Sequence, residues 1–352
     1  MAGVCWAGEC LRNGLDKGEV EMTREWNPGR LMSVSSGYWA GCTLQAAVRL
    51  QIFTGLAAGP LTAKDLAVRL ESDEWATALL LDALAALDLL VKEGEVYGNC
   101  AAATELLVTH SPRYMGHIIL HHHHLLDGWA QLDQAVKSGG PVTRKSYGVD
   151  TERESFLLGM FNLAMTLAPT IAGAIDLGGC RRLLDLGGGP GTYAIHFCLA
   201  NPGLEAVIFD RSTTEPFARN TVERFGVSDR ISFAGGDFTV DEIGGGPYDV
   251  AWLSHILHSN GWQDCERLLA RVAAAMLPGG RILVHDFILD DTKDGPEFPA
   301  LFSLNMLLAS NGGRSYSEFE IREMLEKAGV VDITRYPFRA PNDSSILAGV
   351  VR

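Results

Sequence analysis

Three aspartates, Asp185, Asp210 and Asp237, each follow a short apolar run, and a glycine-rich turn comes after the first of them. Arg182-Leu183-Leu184-Asp185-Leu186 reads as a buried parallel strand. Gly187-Gly188-Gly189-Pro190-Gly191 then reads as a turn, and residues 192–199 as a helix. Glycine admits φ > 0 and lets the backbone approach a ligand with no Cβ in between. A strand, a glycine turn and a helix N-terminus form the usual start of a nucleotide-type site in an open α/β sheet. Residues 204–210 are the second strand, and Asp210 at its end would lie beside the glycine turn, where a carboxylate accepts ribose hydroxyls. Residues 231–238 are the third strand and its exit. There Asp237 suits an adenine amino group, and Phe238 suits packing beside or on the ring. The dinucleotide fingerprint asks for Gly or Ala where this chain has Thr192. The spacing is instead acid-x-Gly-x-Gly-x-Gly over Asp185, Gly187, Gly189 and Gly191.

These groups reach one sheet edge only if strands and helices alternate, and after Cys180 they do. Residues 248–253 read as a fourth strand, 265–276 as a helix closed by Leu277-Pro278-Gly279-Gly280, and 281–288 as a fifth strand. A helix over 317–329 and an antiparallel pair over 332–338 and 344–351 finish a doubly wound sheet. The N-terminal part is different. Amphipathic helices are expected over 46–53, from 62 onward with Thr62 as N-cap, and over 74–90, followed by a hairpin turning near Gly94. That is a winged-helix pattern. The helix starting Glu74-Trp75-Ala76-Thr77 has no Lys or Arg through Asp82, so it lacks the donors that read DNA, and its apolar face suits another subunit. Helix continues through 109–148, where His117, His121 and His124 share a face. No carboxylate or cysteine nearby completes a metal set, so these histidines are read as a polar face with His121 in a substrate cavity. The uncharged run 155–175 is long enough to span a membrane, but its polar residues and Pro169 point to a buried helix, kinked or broken at the proline.

The chain has 352 residues, enough for two domains, and is 47% hydrophobic and 20% charged, the balance of a soluble globular protein. A net charge of −14 argues against a nucleic-acid partner. Seven cysteines without metal spacing are expected to be reduced thiols in a cytoplasmic protein, with no signal peptide. Residues 1–30 are expected to be mobile, with Met22 and Met32 as alternative starts.

The spacing from Asp185 to Gly191 resembles motif I of class I S-adenosylmethionine-dependent methyltransferases. From Ser33 onward the chain resembles the O-methyltransferase family that includes caffeic acid and acetylserotonin O-methyltransferases. The resemblance is carried by the glycine turn, Val207–Asp210, Gly236-Asp237-Phe238, Ile256-Leu257-His258, Leu277-Pro278-Gly279-Gly280 and Gly312-Gly313-Arg314. It implies a class I methyltransferase Rossmann-like doubly wound sheet (179–352), a winged-helix dimerisation domain (31–110) and linking helices over the active site (111–178). It also implies S-adenosylmethionine as methyl donor, S-adenosylhomocysteine as product, no metal, no membrane, a small-molecule acceptor and a homodimer. His258 then takes the family's catalytic-base position, with Asp286 orienting it and His255 a weaker candidate. Ser254 stands where many relatives place a cofactor-contacting Lys or Arg. Phe161 and Met165 match the segment that lies over donor and acceptor, and Met306 and Leu307 complete the wall. The chain departs from the family at Ser259-Asn260, where His-Asp-Trp would continue, and at Ser315, where a glutamate is common. Methylation of a hydroxyl on a small aromatic molecule is the leading reading. The same fold acting on carbon, nitrogen or sulfur, or not methylating at all, is the alternative, and a cofactor-sensing winged-helix regulator is a further one.

Overall fold

The computed structural model describes residues 25–352. Residues 1–24, most of the segment expected to be mobile, lie outside the described residues. The described residues divide into two units between residues 42 and 43. In the first, α1 (Pro28–Ser36) starts where Asn27 accepts a hydrogen bond from the Arg30 N–H and Pro28 presets the first turn. Helix α2 (Tyr38–Arg49) follows.

The next elements are α3 (Ile52–Gly55), β1 (Leu61–Thr62), α4 (Ala63–Leu70), α5 (Glu74–Ala86), β2 (Leu90–Glu93), β3 (Val96–Asn99) and α6 (Ala101–Leu107). The expected hairpin is β2–β3, with Gly94 at φ 60° in its turn, and β1 adds a third antiparallel strand in the order β1-β3-β2. Thr62 caps α4 by accepting from the Asp65 N–H. The helix expected through 46–53 is interrupted. Gln51 has φ 56°, which a right-handed helix cannot continue, and the redirected chain buries Ile52 and Phe53. They join Val48, Leu66, Leu81 and Leu84 in a separate small core. The helix expected over 74–90 stops at Ala86, because Leu90 is already paired in β2.

Three helices link this layer to the sheet: α7 (Gly116–Trp129), α8 (Leu132–Ser138) and α9 (Val149–Ala174). Residues 139–148 between α8 and α9 are not helical. Helix α9 runs unbroken through Pro169. The proline removes one internal hydrogen bond, while Leu167, Ala168, Ile171 and Ala172 on either side of it are buried in the main core. Gly159 lets α9 close on α7, since a Cβ there would stand 3.1 Å from Ile118 Cα. Among the described residues α9 alone is long and apolar enough to cross a membrane, and its buried face packs against α7 and α10.

The remaining elements are β4 (Arg182–Leu186), α10 (Thr192–Ala200), β5 (Glu205–Asp210), α11 (Glu215–Arg224), β6 (Ile231–Gly235), β7 (Tyr248–Ser254), α12 (Trp262–Ala274), β8 (Met276–Asp286), α13 (Glu297–Ala309), α14 (Glu318–Lys327), β9 (Val330–Arg339) and β10 (Ser345–Val351). The seven strands run in the order β6-β5-β4-β7-β8-β10-β9, with β10 antiparallel to both neighbours. Side chains alternate across the sheet. Leu183, Val250, Trp252 and Leu283 face α9 and α10, while Leu184, Ala251, Leu253 and Val284 face α12 and α14. Leu277 to Gly280, expected to close the preceding helix, instead belong to β8. Its pairing jumps from Tyr248–Met276 to Val250–Arg281, and Gly279 at φ 80° absorbs the extra chain.

Candidate active site

Strand register decides which side chains meet. Leu186 lies opposite both Phe209 and Leu253, and Ser254 lies opposite His285. The carboxyl ends of β5, β4, β7 and β8 therefore stop level. The glycine turn, Asp210, His255, His258 and Asp286 all leave the sheet at that edge. The strand order reverses there, since β5 and β7 flank β4 on opposite sides, and such a switch point opens a crevice.

The turn has φ values of 63°, 53° and 78° at Gly187, Gly189 and Gly191, which is the left-handed region that glycine tolerates. A Cβ on Gly187 would strike Ile256, and one on Gly191 would strike Ile208. At Gly189 that direction is open, with no atom within 4 Å. The Gly189 N–H donates to Asp210 Oδ2 at 2.8 Å, and Asp210 Oδ1 accepts from the Arg211 N–H at 2.6 Å and the Thr214 hydroxyl at 3.3 Å. Burial raises the Asp210 carboxyl above its ordinary pKa against these donors. A carboxylate offers about four acceptor positions, and three are taken, so one remains for a ligand hydroxyl. Asp237 Oδ1 takes the Thr239 N–H and hydroxyl, and these bonds hold it below the usual carboxylate range. Phe238 lies beside the turn, its ring 3.3 Å from where a Gly187 Cβ would be.

Asp185 and Ser254 sit deeper. Asp185 Oδ2 accepts from the Ala194 N–H in the first turn of α10 at 3.1 Å, and its carboxyl group underlies Gly188. Burial pushes this acid up to about 7, with Asp210 adding to the rise. The Ser254 hydroxyl is bonded to His285 Nδ1 at 2.9 Å, and His285 Nε2 to the Ser344 hydroxyl at 2.9 Å. His285 is fully buried, which holds its pKa well below the ordinary value.

His258 comes from a single 3-10 turn, Leu257–Ser259, just after β7. His258 Nδ1 lies 2.6 Å from Asp286 Oδ1. Asp286 also accepts from the Phe287 N–H at 2.8 Å. Burial works to raise this carboxyl, but the neighbouring His258 and His255 outweigh it and hold it below the usual carboxylate range. His255 Nδ1 stands 3.6 Å from the same oxygen. The Gly312-Gly313 pair passes tightly over the turn, since a Cβ on Gly313 would come 2.6 Å from His258 O. Phe302 of α13 meets the His258 ring edge-on at 4.8 Å, and Phe287 stacks on it at 6.0 Å.

The residues expected on the acceptor side are spread over three helices. Met306 is buried and Leu307 half-buried on α13, the helix that carries Phe302. Phe161 of α9 lies under the Arg224 guanidinium at 5.7 Å, and Met165 Sδ is 3.5 Å from His196 Nε2, so both sit near α10 and α11. His121 of α7 packs edge-on to Phe156 at 5.4 Å. Burial holds its imidazole down to about 4, with His122, His124 and Arg144 contributing. Sequence reasoning missed the aromatic pair Phe287 and Phe302, the buried His285, and the Trp129–Asn305 hydrogen bond of 3.1 Å that ties α7 to α13. Only His285 and Phe287, on either side of Asp286 in the expected fifth strand, carried any local signal.

The carboxyl edge fits S-adenosylmethionine. Gly189 leaves open the space a side chain would fill, Asp210 keeps an acceptor position, and the buried Thr192 hydroxyl at the start of α10 has no hydrogen-bond partner. The groove bounded by Arg182, Glu205 and Arg230 opens at the opposite end of the strands.

Comparison with known proteins identifies the family. Residues 129–331 match the O-methyltransferase domain family and residues 32–109 match the O-methyltransferase dimerisation domain. A 3-hydroxy-5-methyl-1-naphthoate 3-O-methyltransferase from Streptomyces sahachiroi is 32% identical, over 92% of this chain and 95% of that one. The tetracenomycin polyketide synthesis 8-O-methyl transferase of Streptomyces glaucescens is 34% identical, over 91% and 96%. The crystal structure of human N-acetylserotonin methyltransferase in complex with S-adenosylmethionine superposes with a TM-score of 0.83 at 26% identity, covering 94% of this chain and 99% of that one. The chain therefore belongs to the O-methyltransferase family, which takes its methyl group from S-adenosylmethionine.

Proposed function

We propose that this enzyme methylates a hydroxyl on a small aromatic molecule, with His258 as general base and Asp286 as its positioning partner. The 2.6 Å contact between His258 Nδ1 and Asp286 Oδ1 at the carboxyl edge carries the reading. A carboxylate there favours the tautomer with the proton on Nδ1 and leaves Nε2 free to accept. Phenols ionise near pH 10, so at neutral pH the hydroxyl needs a base as it attacks. Bound S-adenosylmethionine supplies an electrophilic methyl group and leaves as S-adenosylhomocysteine. Gly187, Gly189 and Gly191 would cradle it, Asp210 and Asp237 would accept its hydroxyl and amino hydrogens, and Phe238 would cover the ring. Phe287 and Phe302 pack on the His258 ring, and Phe161, Met165, His121, Met306 and Leu307 would wall the acceptor side. Acceptors named for the relatives, a hydroxynaphthoate and a polyketide, support an aromatic hydroxyl as the target. A cytoplasmic homodimer is part of the same reading.

The test is turnover of a panel of naphthols and polyketide phenols by His258→Ala and Asp286→Asn, with calorimetry of S-adenosylhomocysteine binding alongside. We expect His258→Ala to lower kcat by about two to four orders of magnitude, with nearly unchanged product affinity. Asp286→Asn should lose less, because it disturbs the ring's orientation without deleting the base. Turnover within a few-fold of wild type for His258→Ala would remove the base from this position.

A further inference from the structure

His255 has no part in the reaction as described, yet its placement is costly. Its backbone is left-handed, φ 58°, an uncommon state for a non-glycine residue. Its N–H is held by His285 O at 2.8 Å, and Phe287 covers its ring at 4.4 Å. Its Nδ1 is buried and has no partner at hydrogen-bond distance, which leaves that nitrogen available to a ligand. That nitrogen faces Asp286 Oδ1 at 3.6 Å, on the same oxygen that His258 Nδ1 meets at 2.6 Å. One ligand atom from each of the three residues lies within 4.8 Å of the other two.

Two imidazoles and one carboxylate suit zinc and its first-row neighbours rather than calcium or magnesium, which prefer all-oxygen sets. With bonds of about 2.0–2.2 Å to one tetrahedral ion, ligand atoms stand roughly 3.3 Å apart. The two separations from Asp286 Oδ1 bracket that value, and rotation of the two rings would have to bring their nitrogens together from within 4.8 Å. We propose that His255, His258 and Asp286 form a binding site for a divalent transition ion of the zinc class, and that filling it switches the enzyme off. On binding, the metal takes Nδ1 of His258, the Nδ1 proton goes to solvent and Nε2 takes one up from solvent, so the ring changes tautomer with no net proton released. A neutral imidazole with Nδ1 on a metal carries its hydrogen on Nε2. The nitrogen that would accept the acceptor's proton is then occupied. The inhibitory half rests on His258 being the base, whereas the binding half rests on geometry alone.

The experiment is calorimetric titration of the full chain with zinc chloride, without methyl donor, for wild type, His255→Asn and His255→Asp. Asn and Asp both tolerate the left-handed backbone, and only Asp restores a ligand. We expect a zinc site in wild type that weakens at least tenfold in His255→Asn and persists in His255→Asp. Zinc at that concentration should also inhibit wild-type turnover. Unchanged zinc binding in His255→Asn overturns the site, as does loss of binding in His121→Ala with His255→Asn unaffected. Binding lost in His255→Asn but without inhibition in wild type overturns the switch and the base assignment while leaving the ion site standing.

Discussion

Asp286 has two imidazoles within reach and is close to only one of them. At 2.6 Å it fixes His258, while His255 waits at 3.6 Å. At the same edge, Asp210 is a buried carboxylate whose neighbours leave one acceptor position. Asp210→Ala should weaken S-adenosylhomocysteine binding more than tenfold, since each buried donor left unpaired costs about 1–3 kcal/mol. Calorimetry giving equal affinities would take Asp210 out of the binding site. Asp185 has a different consequence. Its folded-state pKa is raised to about 7 by burial, while in the unfolded chain it is an ordinary carboxyl near 4. A raised acid adds stability that is full below the unfolded value and is lost as pH rises through the folded one. Wild type should therefore lose stability relative to Asp185→Asn between about pH 4 and pH 7, by a few kcal/mol in order of magnitude. Thermal melts of both proteins across that range check it, and parallel pH curves would mean that the carboxyl does not titrate with folding.

Elements place these residues through contacts that tolerate little change. Helix α9 lies against α7 at Gly159, where a Cβ would meet the Ile118 backbone at 3.1 Å. Backbone cannot move aside as a side-chain tip can. Gly159→Val should therefore destabilise the protein by about 1–3 kcal/mol, and it should raise KM for the acceptor more than for the donor, because α7 and α9 carry His121, Phe161 and Met165. A melting temperature equal to that of wild type would show that the two helices separate freely. Gly313 works in the same manner, since a Cβ there would come 2.6 Å from the His258 carbonyl oxygen.

For the whole molecule, the dimerisation-domain match over residues 32–109 meets an unusual surface. Val68, Trp75, Leu79 and Leu87 are large apolar side chains exposed on α4, α5 and the end of α5. Trp75 and Leu79 are one turn apart on the helix that lacks basic residues. A homodimer would cover them. Light scattering should give a dimer at micromolar concentration, and the pair Trp75→Glu and Leu79→Glu should shift it toward monomer. A wild-type monomer, or a mutant dimer as tight as wild type, would place the interface elsewhere.

The strand–turn–helix alternation, the acids at strand ends and the glycine turn were legible in the chain because each depends on local pattern, whereas the candidate base was reached only through the family resemblance. A short apolar run between turn residues marks a buried strand, and three glycines at alternate positions mark a backbone that must come close to something. The binding edge was readable for the same reason, since carboxyl ends of parallel strands share one side whatever the details. Other features depended on the tertiary structure. The break at Gln51 and the continuity of α9 through Pro169 were settled by burial of Ile52, Phe53, Leu167 and Ile171, which outweighs local backbone preference. The register of β7 on β8 put Ser254 against His285 and so drew its hydroxyl beneath the site. The left-handed turn at His255 gave Asp286 a second imidazole, and α13 brought Phe302 onto His258. Such meetings join residues 28 or more positions apart, and no local pattern encodes them, because they exist only once the sheet has assembled.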